Sequence, residues 1–152
     1  MDKRELRIDY TVYEKSCPEE YKKLCERALE IMPNAYSIYS EFSVGSAVLL
    51  ESGEIVTGTN QENVAYSSGI CAERVALNFA NSKFPFEKVK AVAIAAFYEK
   101  KQTDGYVSPC GSCRQVFVEA VKRYGDFDVV MMGREKTVVI KASLLLPFSF
   151  DF

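Results

Sequence analysis

The chain has 152 residues, 48% of them apolar and 26% charged, and a net charge of −2. Such a length suits one ordinary domain, here spanning residues 1–152, since domains commonly hold about 100–200 residues. No run approaches the about 18 apolar residues of a membrane span, and Met1-Asp-Lys-Arg-Glu does not open a signal peptide. Histidine is absent. That excludes Ser-His-Asp and Cys-His nucleophile systems and every His-ligated metal, leaving acid–base and metal chemistry to cysteine and carboxylate. Residues 31–80 carry five acids (Glu41, Glu51, Glu54, Glu62 and Glu73) and one base, Arg74. A polyanion site needs a stripe of Lys and Arg, so a nucleic-acid strand is not the expected partner of chemistry placed there.

Ser16-Cys17-Pro18-Glu19 reads as a capping box with proline in the first turn. Tyr21, Leu24, Cys25, Ala28 and Met32 continue it as an apolar stripe at helical spacing, ended by Pro33. Val44–Leu50 and Ile55–Thr59 predict two strands joined at Ser52-Gly53 as an antiparallel hairpin. Residues 60–70 are polar and irregular, the kind of loop that carries function. Cys71 to about Asn81 predicts a helix apolar nearly all round, hence buried. Val89–Phe97 is apolar on both faces and suits a central strand covered on each side. Residues 98–107 read as a polar loop. A third helix starts near Pro109-Cys110 and runs to Tyr124, ended by Gly125. Phe127–Met132 and Thr137–Ile140 are the last strands, before a helical turn at Ser143-Leu-Leu-Leu. The order implies an α/β fold, a three-layer helix–sheet–helix sandwich around a mixed five-stranded sheet. The 133–136 connection is too short for a parallel crossover, so the final strand pair must be antiparallel.

Five cysteines, at 17, 25, 71, 110 and 113, make an odd set without a secretory signal. This pattern fits a reducing cytoplasm, where closely spaced thiols serve metal or redox chemistry. Cys17 and Cys25 read as small buried hydrophobes. Cys110 and Cys113 stand at i and i+3 in the first turn of one helix, and Cys71 opens another. Helix N-termini favour thiolate. Three thiolates between two helix starts form a tetrahedral zinc site with its fourth position open, the catalytic arrangement. Glu73 supplies a carboxylate beside it. Cys110-Gly-Ser-Cys113 alone would equally suit a redox dithiol, and Glu73 could instead close a structural zinc site as a fourth ligand.

Four stretches together resemble the free-nucleoside cytidine deaminases of the small, three-cysteine, homotetrameric kind. They are Ala35-Tyr-Ser-Ile-Tyr-Ser-Glu-Phe-Ser-Val-Gly45, Asn60-x-Glu62-Asn63, Cys71-Ala-Glu-Arg74 and Ser108-Pro-Cys-Gly-Ser-Cys-Arg-Gln115. The likeness runs from about residue 17 to Phe150, in the family's order and spacing. It implies hydrolytic deamination of cytidine and deoxycytidine to uridine and deoxyuridine, with loss of ammonia, in pyrimidine salvage. It implies one Zn²⁺ per chain on Cys71, Cys110 and Cys113, with Glu73 as proton shuttle to cytosine N3 and to the leaving amine. By the same resemblance the Ala72 N–H holds the base carbonyl, Asn60 and Glu62 bind the ribose 3′-hydroxyl, and Phe42 packs on the base. Phe150 and Tyr66 then act at a neighbouring subunit's site in a homotetramer. Ser43 and Thr59 depart from the family's commoner proline and cysteine.

Three thiolates, Zn²⁺ and a hydroxide would sum to −2, so nearby donors are needed, and Arg74 and Arg114 are the available cations. The tail Leu144–Phe152 holds six Leu or Phe residues in nine, a heavy apolar load for a terminus and a candidate subunit contact. Competing readings are a polynucleotide-editing deaminase, a deaminase of a related cytosine nucleoside, a thiol-redox protein and a structural zinc domain using Cys110 and Cys113. The short 133–136 connection and the acidic 31–80 segment oppose the first. The redox reading leaves Glu73, Cys71 and the Asn60–Glu62 loop without a role.

Overall fold

A computed structural model describes residues 1–151; Phe152, the last of the tail's apolar residues, lies outside the described residues. The chain runs β1 (Tyr10–Glu14), α1 (Lys22–Glu30), β2 (Phe42–Leu50), β3 (Ile55–Thr59), α2 (Ala72–Lys83) and β4 (Val89–Tyr98). It continues through β5 (Lys101–Gln102), α3 (Gly111–Tyr124), β6 (Asp128–Met132) and β7 (Lys136–Lys141), ending in a 3₁₀ turn at Ala142–Leu145. The strands form one sheet in the order β1-β7-β6-β4-β2-β3, with β5 on the end of β4. Only β4 and β6 pair in parallel, joined across the sheet face by α3; the β6–β7 pair is antiparallel, as its three-residue connection requires.

The described sheet has seven strands where the sequence pattern suggested five. The additional ones are β1 and the two-residue β5. Tyr10-Thr-Val-Tyr-Glu14 is rich in β-branched and aromatic residues and adds to the edge of β7 in antiparallel register, Val12 opposite Val138. Lys101–Gln102 folds back on Tyr98 and Phe97 through left-handed Glu99 and Lys100.

Strand alternation divides the interior. Val92 and Ile94 of β4 face α2 and α3, in a core with Leu77, Phe117 and Phe127. Ala91, Ala93 and Ala95 face α1, where Leu24, Cys25 and Ala28 pack. These short side chains let α1 lie close to the sheet. At Gly45 an added Cβ would come within 2.0 Å of the Ala28 carbonyl oxygen. On the opposite face, a Cβ at Gly58 would meet Ala76 N at 2.5 Å and the Ala72 oxygen at 2.9 Å. Gly58 therefore sets how near the first turns of α2 approach β3.

Three local expectations change. Ser16 caps nothing: the first helix begins as a 3₁₀ turn at Glu19–Tyr21, with Pro18 before it and no side-chain cap. Cys17 and Cys25 are not separate thiols but a disulfide. Lys15, left-handed at φ 52° and bonded through its N–H to the Glu135 carbonyl, turns the chain off β1 towards α1. The odd cysteine total is thus a pair plus a triad. In α2, Phe79 is 53% exposed beside exposed Asn78, because no described element covers that face; Ala72, Glu73, Ala76, Leu77 and Ala80 are its buried residues.

Candidate functional site

Both helices of the α2–α3 layer begin at a cysteine. Cys71 is the residue before α2 and Cys110 the residue before α3, each extended (ψ 151° and 167°) so that the sulfur sits against the first turn. Cys113 follows inside the first turn of α3 and is fully buried. The Cys110 sulfur lies 3.7 Å from that of Cys71 and 3.6 Å from that of Cys113, and all three fall within 4.8 Å of one another. Zinc–sulfur bonds of about 2.3 Å in a tetrahedron separate sulfurs by about 3.8 Å. The donor set fits zinc in both chemistry and spacing.

The cluster's electrostatics follow from the closeness of its thiols and from burial. Cys71 is brought down to about 6, chiefly because Cys113 donates to its sulfur, with Cys110 and the Arg74 charge assisting against burial. Cys113, the donor, is correspondingly raised, with burial adding to the effect. A divalent cation bound by the cluster would remove this competition and release protons. Glu73, in the first turn of α2, is only 5% exposed. Burial pushes its carboxyl above the usual range and the Cys71 charge pushes the same way, while its own N–H, Cys113 and Arg74 pull back. A buried carboxyl with a raised pKa beside a metal site is poised to take and return a proton.

A polar cleft of about 470 Å³ opens next to Cys71, lined by Tyr39, Ser40, Asn60, Glu62 and Tyr66 among others. Loop 60–70 is held there by backbone pairing: Gln61 exchanges hydrogen bonds with Ile70, and Glu62 N–H donates to the Tyr36 carbonyl. Asn60 Nδ2 donates to the Phe42 carbonyl at 2.9 Å and its Oδ1 accepts from Val44 N–H at 2.7 Å. One amide N–H of Asn60 remains for a ligand. Glu62 accepts from Tyr39 N–H, Ser40 N–H and the Ser40 hydroxyl. Ser40 and then Tyr39 hold its carboxyl below the usual range. Sequence reasoning passed over both residues as partners of Glu62, since such a contact spans more than twenty positions. A larger groove of about 850 Å³ lies beyond α1, lined by Leu29, Met32, Ile38 and Phe97 with Glu41 and Lys100. The thiol cluster lies elsewhere, and the chemistry goes with the smaller cleft.

The remaining expected residues are dispersed. Phe42 starts β2 with its ring 6.5 Å from Tyr98. Tyr66 is 82% exposed, edge-on to Tyr39 at 6.3 Å. Phe150 is 74% exposed, and both of its backbone groups are taken by the Gln115 amide. Arg114 spends its donors on the Pro109 carbonyl, the Ser108 hydroxyl and the Leu145 carbonyl. It thus braces the approach to Cys110, while Arg74 is the cation that acts on Cys71 and Glu73.

A three-layer sandwich thus gathers three thiols at two helix starts with a buried carboxyl beside them, a donor set suited to zinc. Residues 18–126 match the cytidine and deoxycytidylate deaminase zinc-binding region. A cytidine deaminase of Sporosarcina psychrophila is 44% identical over 136 residues, covering 87% of this chain and 92% of that one. A probable cytidine deaminase of Dictyostelium discoideum is 36% identical over 135 residues, covering 88% and 85%. The crystal structure of cytidine deaminase from Burkholderia pseudomallei superposes with a TM-score of 0.70 at 34% identity, over 84% of this chain and 97% of that one. This chain belongs to the zinc-dependent cytidine and deoxycytidylate deaminase family.

Proposed function

We propose that the protein, acting as one domain, hydrolyses the 4-amino group of cytidine and deoxycytidine, consuming water and yielding uridine or deoxyuridine and ammonia. The observation that carries this reading is the thiol triad and buried Glu73 opening beside a polar cleft lined by Asn60 and Glu62. Cys71, Cys110 and Cys113 hold zinc. Zinc bound there supplies the Lewis acidity that makes water a nucleophile at neutral pH. Glu73 takes the proton lost by the attacking water, passes it to cytosine N3, and then moves the proton of the hydroxyl added at C4 to the departing amine. Its raised carboxyl suits an acceptor that must also give the proton back. The Ala72 N–H, unpaired in the first turn of α2, receives the base carbonyl. Asn60 and Glu62 take the ribose 3′-hydroxyl, and Phe42 packs on the base. Arg74 offsets the charge of the thiolate cluster, and Arg114 fixes the loop that presents Cys110.

The working form is a homotetramer in which Phe150 and Tyr66 complete a neighbour's site. Ile38, Tyr39, Val64, Tyr66, Phe79 and Phe150 all stand exposed in the single chain, apolar surface available to subunit contacts. The partners are small nucleosides, not a nucleic-acid strand. No described helix is long and apolar enough to cross a membrane. A cytoplasmic setting suits a triad that must stay reduced, and there Cys17 and Cys25 would stand as a juxtaposed dithiol.

The test is loss of cytidine absorbance with stoichiometric ammonia, abolished by a chelator and restored by zinc. Failure on cytidine and deoxycytidine with turnover of another cytosine nucleoside would move the substrate. Refolding Glu73→Gln chains together with Phe150→Ala chains tests the assembly: partial recovery of activity is expected, and none from demonstrably mixed tetramers leaves Phe150 serving its own subunit.

A further inference from the structure

The helix that carries two of the three thiols also holds the C-terminal tail. Residues 146–151 contain no helix or strand, and a terminus of that kind ordinarily frays. Here α3 grips it in succession. Arg114 Nη1 donates to the Leu145 carbonyl at 3.2 Å, while Nε of the same guanidinium holds the Pro109 carbonyl at 2.8 Å. Gln115, two residues past Cys113, then meets Phe150 twice: Nε2 donates to the Phe150 carbonyl at 3.0 Å, and Phe150 N–H donates to Oε1 at 3.2 Å. Two turns further on, Lys122 pairs with Asp151.

The double contact of Gln115 differs in kind from the others. A primary amide offers a donor and an acceptor side by side, the same pair a neighbouring strand presents to an extended residue. It therefore fixes the orientation of residue 150 as well as its position, whereas a single hydrogen bond leaves rotation free. The Phe150 ring stands 74% exposed on this anchored backbone. An exposed aromatic ring on an immobilised backbone is arranged to meet something outside its own core, because burial in that core would need no backbone clamp.

We propose that Gln115 is a positioning residue for nucleoside binding: its amide clamps the backbone of Phe150 to the thiol-bearing helix, setting where the Phe150 ring is presented. The inference rests on the proposed reading that Phe150 completes a neighbouring subunit's nucleoside site. Its energetic effect falls on binding, because an ordered tail no longer has to be immobilised when the nucleoside arrives.

The sequence contains no tryptophan, so a Phe150→Trp chain has a single fluorescent reporter at the clamped residue. Adding Gln115→Met, which keeps the side-chain length and removes both hydrogen bonds, is expected to lower the steady-state fluorescence anisotropy of that Trp as its backbone gains freedom. Unchanged anisotropy overturns the clamp. In the chain with native Phe150, Gln115→Met is expected to raise KM for cytidine roughly fivefold to thirtyfold, the span for losing two modest hydrogen bonds. Zinc content should stay at one per chain and kcat within about twofold. Loss of zinc, or a fall in kcat with KM unchanged, would make Gln115 a support of the metal helix and overturn the proposal. Lys122→Met loosens the same tail far from the metal; if Gln115→Met does not fold, a KM rise of about twofold in this variant supports the clamp and an unchanged KM overturns it. An unchanged KM in Phe150→Ala takes down the reading on which the inference rests, a result separable from the fluorescence arm.

Discussion

The two halves of the site are built on different physical terms. The thiol half stands on two helix starts, with Cys113 fully buried and Glu73 5% exposed, and its geometry follows from where those two helices begin. The half proposed to bind the nucleoside stands on loops: Glu62 is held by Tyr39 and Ser40, and Tyr66 and Phe150 project from the single chain at 82% and 74% exposure. Chemistry needs sub-ångström placement and sits on rigid elements. Recognition is delegated to segments that other segments, and under the proposed assembly other subunits, must position.

The sharpest way to break this division is to attack the rigid half. Glu73→Gln keeps size and burial and should retain zinc, while activity falls by at least the 10²–10⁴-fold usual for lost general acid–base catalysis. Metal analysis beside kcat checks it. If the variant loses zinc instead, Glu73 is a ligand. Cys113→Ser should abolish zinc binding outright and lower Tm, because the two remaining thiols lose their shared partner at the buried end of the cluster. A variant with one zinc per chain would remove Cys113 from the donor set.

Legibility in the sequence follows the same line. Cys110 and Cys113 could be placed together from their i, i+3 spacing, whereas Cys71, at the start of another helix, could be joined to them only through the family resemblance. The antiparallel end of the sheet followed from the four-residue 133–136 link. By contrast, strand β1 was missed although Tyr10-Thr-Val-Tyr-Glu14 carries strand chemistry, because nothing local says that an edge of β7 awaits it. The pairing of Cys17 with Cys25 depends on the turn at Lys15, which no motif announces. Arg114 was placed near the thiols by sequence adjacency, yet its side chain leaves along α3 towards Pro109 and Leu145. Position in sequence fixes where a backbone goes more firmly than where a long side chain ends.

Weaker perturbations sharpen the comparison from the loop side. Asn60→Ala and Glu62→Ala should both raise KM for cytidine, each by the equivalent of about 1–3 kcal/mol, since a site built to bond a hydroxyl is left unpaired. They should differ in stability. Asn60 also pairs the Phe42 carbonyl and the Val44 N–H, so its loss orphans backbone groups at the start of β2, whereas Glu62 bonds an exposed loop. Urea denaturation should therefore separate the two variants; equal midpoints would mean that Asn60 is no more structural than Glu62. At the seam between the halves, Gly58→Ala forces a Cβ against Ala76 N and the Ala72 oxygen. It should lose about 1–3 kcal/mol of stability by overpacking and weaken zinc binding by displacing the turn after Cys71. Tight zinc binding in a destabilised chain would uncouple α2 from the site.

The smallest expected effect sets the two carboxylates against each other. Glu73 is raised by burial, whereas Glu62 is lowered from 4.5 by the Ser40 hydroxyl and the Tyr39 and Ser40 amides, which all donate to its ionised form. A group whose folded pKa lies below its unfolded value binds fewer protons when folded. Its contribution is therefore fully present above pH 4.5 and is lost as pH falls through the lower, folded value. Glu62 is half-buried at an open loop, so solvent screens the interaction and the consequence is local rather than global. Amide shifts of Tyr39 and Ser40, followed by NMR, should stay flat from neutral pH down to about 4.5 and then titrate together. Glu62→Gln should abolish that transition without moving the remaining loop amides. A shared midpoint above 4.5 would show that the donors around Glu62 favour its protonated form, and the loop would then lack a permanently charged acceptor for the sugar hydroxyl.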